Sequence, residues 1–202
     1  MKLAGDEPEI RYKHVEAVLK RIFKVSSDTE GAFRARLRHL RNMGIPDLPK
    51  PGSGAQIPYT RVHLIQMIIA LELSALGIAP RHAADLAERI GPPESPQSQE
   101  EPERDAIHRL YTPGRIIEFK GRDYYYIPPD RDHVRRRFGG KGQTFLTVYP
   151  GSRSADAGNY NVEVKELNRL EIATEVMSNP RISFVNLTPS IQVLDEFLNS
   201  LS

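Results

Sequence analysis

The side chains best suited to specific chemistry lie in one arginine-rich stretch of the chain. Residues 33–42 read FRARLRHLRN. At 100° per residue, Phe33, Leu37 and Leu40 fall on one side of a helix, and the opposite side carries polar and small residues. Arginine reads guanine edges with two hydrogen bonds, asparagine does the same for adenine, and neighbouring arginines reach phosphates. The pattern predicts either a DNA-reading helix or a solvated basic face, with candidate contacts at Arg34, Arg36, Arg38, His39, Arg41 and Asn42.

Helical periodicity and end signals predict the elements around this stretch. Apolar stripes indicate helices over residues 10–24, 29–43, 60–76, 81–90 and 189–201. Gly44 and Gly77 stop the second and third helices, Thr60 caps the third, and Pro80 suits the first turn of the fourth. The third helix is apolar on most faces, so it is expected to be the central buried one.

Proline, glycine and β-branched residues organise the rest of the chain. Residues 45–58 are expected to form a loop or β-wing, and residues 91–102 a flexible linker rich in proline and glutamate. Beyond the linker, a hairpin is predicted over 115–119 and 124–127, and strands over 143–149, 160–164 and 182–187. Short helical segments are expected at 103–110 and 130–138. The predicted fold class is therefore α+β, with an all-helical domain over 1–90 and a small α+β domain over 103–202.

Several short sequences in the first half of the chain occur in the same order as in a known type of DNA-binding module. The second helix is followed by Gly44-Ile45-Pro46, a Pro/Gly loop over 50–57, then PYTRVHLI at 58–65, ALELSALGI at 70–78 and a short helix over 82–86. This order resembles the MerR-type winged helix-turn-helix family over about residues 12–90. The family usually dimerises through a long helix after this module, where this chain has its proline-rich linker.

The resemblance implies how the module would contact double-stranded DNA. Residues 28–41 would enter the major groove, with Thr29 at the start of the recognition helix. The wing over 50–61 would touch the backbone or minor groove, and its candidate contacts are Lys50, Ser53, Gln56, Tyr59 and Arg61. Glycines on either side of Ser53 permit a close approach of the loop to phosphate.

Composition, charge and motif spacing limit the classes of function that this chain can have. The chain has 202 residues, a net charge of +2 and no cysteine, which excludes disulfides, thiolate metal sites and a cysteine nucleophile. Basic residues are concentrated in residues 1–61, with 12 basic and 7 acidic side chains, and in residues 106–142, with 9 and 4. The six histidines lack the His-Glu-x-x-His spacing, no Gly-x-Ser-x-Gly elbow occurs, and residues 139–144 lack a complete phosphate loop. No catalytic residue, metal or cofactor is expected, so an enzyme is not predicted.

The apolar stretch over 62–78 is interrupted by Gln66, Glu72 and Ser74, so no membrane span is expected. Acidic residues near the start argue against a signal peptide, and a cytoplasmic, nucleoid-associated location is expected. The resemblance to the MerR-type family implies a sequence-specific transcriptional regulator, which we expect to act as a homodimer. Residues 103–202 would dimerise, bind a small-molecule effector or contact a partner protein.

The sequence also allows other interpretations of the helical half and of the tyrosine- and arginine-rich segments. The helical half could instead bind a partner protein, which would make the chain an interaction adaptor. Residues 64–90 could form a second helix-turn-helix, although the mixed charge of its last helix suits a phosphate surface less well. Tyrosines at 124–126 and arginines at 135–137 could stack single-stranded bases, but alternating tyrosines are also common in ordinary strands.

Overall fold

The computed structural model describes residues 10–46, 48, 58–90, 115–119, 122–126, 143–150, 160–167, 172, 176–178 and 182–201. In chain order its main elements are α1 (Tyr12–Ile22), α2 (Glu30–Asn42), α3 (Arg61–Ala75), α4 (Pro80–Arg89), β1 (Arg115–Phe119), β2 (Arg122–Tyr126), β3 (Gln143–Pro150), β4 (Tyr160–Leu167), β5 (Ser183–Asn186) and α5 (Thr188–Asn199). Helices and antiparallel strands occur in the same chain, so the fold class is α+β as the sequence predicts.

The five helices predicted from periodicity are all present, with ends within two residues of the predicted ones. Their end signals act as expected. The Thr60 hydroxyl accepts from the His63 backbone N–H at 3.5 Å, and the Thr60 N–H donates to His63 Nδ1 at 3.0 Å. Pro80 is the first residue of α4, where its missing N–H costs nothing. Gly44 and Gly77 end their helices with φ of +89° and +86°, a conformation that glycine adopts without the penalty of a Cβ.

Helix α3 is the centre of the hydrophobic core, as its composition predicts. Ten of its fifteen residues are buried, so it is surrounded on most sides rather than along one stripe. The other helices contribute amphipathic stripes to the same core. These stripes consist of Val15, Val18 and Leu19 from α1, Phe33, Leu37 and Leu40 from α2, and Ala83, Ala84, Leu86 and Ala87 from α4.

The strands of the second half form two antiparallel sheets. Strands β1 and β2 make a hairpin in which Arg115 is opposite Tyr126. The other sheet has the order β4-β3-β5, with Phe145 of β3 opposite Lys165 of β4 and Asn186 of β5. The predicted hairpin and the three later strands are therefore confirmed. The predicted helical segments at 103–110 and 130–138, the linker over 91–102 and most of the loop over 45–58 lie outside the described residues.

The C-terminal elements share the core of the N-terminal helices. Leu146 and Val148 of β3, with Leu187, Ile191 and Leu194 at α5, belong to the same buried cluster as α1 to α4. Helix α5 packs against α1, and the Arg21 guanidinium lies 3.6 Å from the Glu196 carboxylate. The division into two domains at 91–102 stays a prediction, but the segments on either side of it have one continuous core.

Candidate nucleic-acid interface

Helices α1 and α2 are joined by a short turn whose side chains fix the relative placement of the two helices. The Thr29 hydroxyl donates to the Ser26 carbonyl at 3.1 Å and lies 3.0 Å from the Ser26 hydroxyl. Below the turn, the rings of Phe23 and Phe33 lie 6.1 Å apart. Because the inner side of α2 packs through Phe33, Leu37 and Leu40, its opposite side is directed to solvent.

The outward face of α2 carries Arg38 and Asn42, with His39 at its flank, whereas Arg36 lies about 160° around the helix from Arg38, beside the apolar stripe. Arg36, Arg38, His39 and Asn42 are all exposed. Among the described residues, neither Arg36 nor Arg38 has an ion-pair partner. A Cβ added at Gly31, earlier on the same helix, would meet nothing within 4 Å. This face therefore offers hydrogen-bond donors and an unobstructed surface.

The segment that contains α1 and α2 is rich in positive charge. From residue 11 to residue 42 the chain has nine basic and three acidic side chains. Two of those three acids, Glu16 and Glu30, are paired with Lys20 and Arg34. A surface of this kind attracts polyanions through local phosphate contacts, whatever the net charge of the whole chain.

Arg34 occupies a different position from the other arginines of α2. Its Nε lies 2.6 Å from Glu16 Oε1, and one of its terminal nitrogens lies 2.6 Å from Glu30 Oε1. The Lys20 ammonium lies 2.5 Å from Glu16 and 2.7 Å from Glu30. Hydrogen bonding from Lys20 is the largest influence that lowers the pKa of both carboxyls. Arg34 is therefore part of a four-residue network, Glu16, Lys20, Glu30 and Arg34, that ties α1 to α2.

Arg41 is held by an aromatic neighbour that sequence reasoning did not identify. Its guanidinium carbon lies 5.0 Å from the centroid of the Tyr12 ring, within the range of a cation–π contact. The Tyr12 ring lies 6.3 Å from Tyr59, which lies 6.3 Å from His63 in an edge-on arrangement. The only sign of this contact in the sequence is an aromatic residue at the start of α1. The sequence does not show which side chain that residue contacts in the folded chain.

Two of the predicted wing residues are placed in the interior. Tyr59 is 5% exposed, its backbone N–H donates to the Ile10 carbonyl at 2.8 Å, and burial raises the pKa of its phenol. Arg61 is 8% exposed, and its Nε donates to Asp195 at 2.8 Å while a terminal nitrogen donates at 3.2 Å. Neither side chain is presented to a phosphate in this structure, so we remove both from the set of candidate contacts. The other wing candidates, Lys50, Ser53 and Gln56, lie outside the described residues.

The second possible reading helix, α4, is also exposed on one side. Arg81, Asp85, Glu88 and Arg89 are exposed, so its outer face carries both acids and bases. The outer face of α2 between residues 34 and 42 has no acid. A carboxylate beside a phosphate is repelled, which makes α2 the better candidate for contact with nucleic acid.

The described residues show neither a metal centre nor a membrane-spanning helix. No group of three or more histidine, aspartate or glutamate side chains there is arranged to hold a metal ion. No helix in the described ranges combines the length and apolar character needed to cross a membrane. Comparisons with protein-family models, curated proteins and solved structures found no match to this chain.

Proposed function

We propose that this protein is a sequence-specific transcriptional regulator that binds double-stranded DNA through α2. The observation that carries the proposal is the outward face of α2, where exposed Arg38 and Asn42, flanked by His39, have no acidic neighbour on that face. An α-helix fits the major groove, and these residue types are the ones that contact base edges there. In this proposal residues 1–90 form a MerR-like winged helix-turn-helix.

The remaining residues of α1 and α2 have supporting roles in the proposed complex. Arg41, held against Tyr12, would contact the phosphate backbone at the end of α2, and Thr29 would do so at its start. Arg34 would maintain the angle between the two helices through Glu16 and Glu30. The wing candidates Lys50, Ser53 and Gln56 would add backbone contacts. Because regulators of this kind commonly read inverted half-sites, we propose that the protein acts as a homodimer.

The test is selection of the full chain on randomised duplex DNA, followed by affinity measurements on the selected sequence across a salt series. We expect an enriched motif and a steep loss of affinity with salt. Arg38→Ala is expected to cost about 1–3 kcal/mol on the selected sequence and to relax the preference at one base pair. Arg89→Ala, which removes the same charge from exposed α4, is the matched control and should leave the motif unchanged.

The outcomes separate this proposal from a role as an interaction adaptor. If no sequence is enriched and affinity is flat across the salt series, α2 does not read DNA and its basic face serves a partner protein or solvent. If Arg38→Ala and Arg89→Ala weaken binding equally on every sequence, the interaction is nonspecific. Either result would overturn the proposed function.

A further inference from the structure

A cavity of about 480 Å³ lies between the C-terminal half of α2 and the turn that joins α3 to α4. Its volume is within the range of small-molecule sites. The turn that closes one side begins at Gly77, whose φ of +86° reverses the chain, and continues to Pro80, whose ring fixes the start of α4. The cavity is therefore bounded by regular, well-anchored elements.

The lining of this cavity combines apolar side chains with an arginine and a histidine. Leu40, Leu71 and Ile78 form its buried apolar wall. Arg36 and His39 of α2 supply nitrogen donors at its edge, and none of the residues that line it is acidic. The Ser74 hydroxyl, the remaining side-chain polar group of the lining, donates to the Ala70 carbonyl at 2.8 Å.

This distribution determines what the cavity can bind. A highly polar ligand such as a nucleotide or sugar would lose its water and find few donors or acceptors along the apolar wall. A neutral apolar ligand would leave the guanidinium of Arg36 unused. A molecule with an apolar body and one carboxylate satisfies both kinds of side chain, because a guanidinium binds a carboxylate through paired charge-assisted hydrogen bonds.

We propose that this cavity binds a small carboxylic acid with an apolar body, with its carboxylate on Arg36 and His39 and its body against Leu40, Leu71 and Ile78. His39 also flanks the outward face of α2, and Arg36 is an exposed arginine of the same helix. If the proposed function holds, a bound carboxylate neutralises positive charge on the DNA-reading helix, and the ligand lowers affinity for DNA. The regulatory part of the inference rests on the proposed function, whereas the binding site does not.

To test the binding site, the full chain is titrated with octanoate, and binding is monitored by nuclear magnetic resonance. Octanol, which has the same chain without the charge, and acetate, which has the charge without the chain, are the matched probes. Arg36→Ala is expected to weaken octanoate binding at least about tenfold. Arg38→Ala, which removes an equal charge outside the cavity lining, should leave octanoate binding unchanged.

A second variant makes the test independent of charge. Ala75 lines the cavity and is exposed at the end of α3, so Ala75→Phe fills the cavity without entering the core. It should abolish octanoate binding, with circular dichroism confirming that the helices are retained. Equal affinity for octanol, full binding by Ala75→Phe, or no octanoate binding at all would each overturn the site.

The effect of the bound ligand on DNA binding is measured separately. Saturating octanoate should weaken binding to the selected DNA, and Ala75→Phe should make DNA binding insensitive to octanoate. If octanoate binds but the protein has no selected DNA sequence, the site stands and the proposed function fails. If both ligands bind without affecting each other, the regulatory coupling is overturned while the site and the proposed function both stand.

Discussion

The side chains of Arg61 and Asp195 join the start of α3 to the C-terminal helix α5. Both are buried, at 8% and 2% exposure, and the guanidinium approaches both carboxylate oxygens. A buried charge is tolerated only with a partner, because water no longer stabilises it. The pair therefore makes the docking of α5 depend on one geometry, which an apolar contact alone would specify less strictly.

Asp195→Ala is expected to lower the free energy of unfolding by about 3–5 kcal/mol, because Arg61 loses this carboxylate while remaining enclosed. Urea denaturation measures the change. Glu196→Ala is the matched control: it removes the neighbouring acid, whose 3.6 Å contact with Arg21 is more exposed than the buried pair, and should cost less than about 1 kcal/mol. Equal losses in the two variants would show that burial does not distinguish the pairs.

At the scale of elements, local patterns predicted the helices well because their signals are contained in a few consecutive residues. Periodic apolar residues with Gly44, Thr60, Gly77 and Pro80 defined four helix ends. The burial of Arg61 and its pairing with Asp195 could not be predicted in the same way. Its partner lies 134 positions away, and nothing local distinguishes an arginine that pairs inside from one that faces solvent.

The same limit applies to the candidate interface. The apolar spacing of α2 correctly identified its outward face, so the exposure of Arg38, His39 and Asn42 was predictable. The engagement of Arg34 was not, because Glu16 belongs to another helix and meets it only once α1 and α2 have packed.

The network of Glu16, Lys20, Glu30 and Arg34 between α1 and α2 should make the stability of the fold depend on pH. Hydrogen bonding from Lys20 keeps the pKa of Glu16 below its ordinary value of 4.5. The folded state therefore releases this proton more readily than the unfolded state. The stabilisation is complete above that ordinary value and is lost as the pH falls through the lower pKa of the folded protein.

Glu16→Gln keeps the shape of the side chain and removes its charge. We expect the wild-type chain to be more stable than this variant near neutral pH, and the difference to shrink steadily below about pH 4.5. Thermal unfolding of both proteins across this range measures it. A difference that stays constant with pH would mean that Glu16 contributes by packing and not by its charge.

At the scale of the whole molecule, the shared core has consequences for how the chain unfolds. Leu146 and Val148 of β3 and Ile191 and Leu194 of α5 are buried in one cluster with α1 to α4. Elements that bury one another's apolar surface lose it together, so unfolding of either part exposes the other. A signal from one part should therefore report on both.

The chain contains no tryptophan, so a single one can be placed as a reporter in each part. Phe23→Trp reports on the α1–α2 turn beside Phe33, and Phe184→Trp reports on β5 beside Phe145. We expect the two fluorescence transitions in urea to coincide with each other and with the loss of helical circular dichroism. Circular dichroism of each variant against the unsubstituted chain controls for destabilisation by the reporter itself. Because a separate domain with its own core would unfold at its own midpoint, two resolved transitions would contradict the shared core and support independent units on either side of residues 91–102.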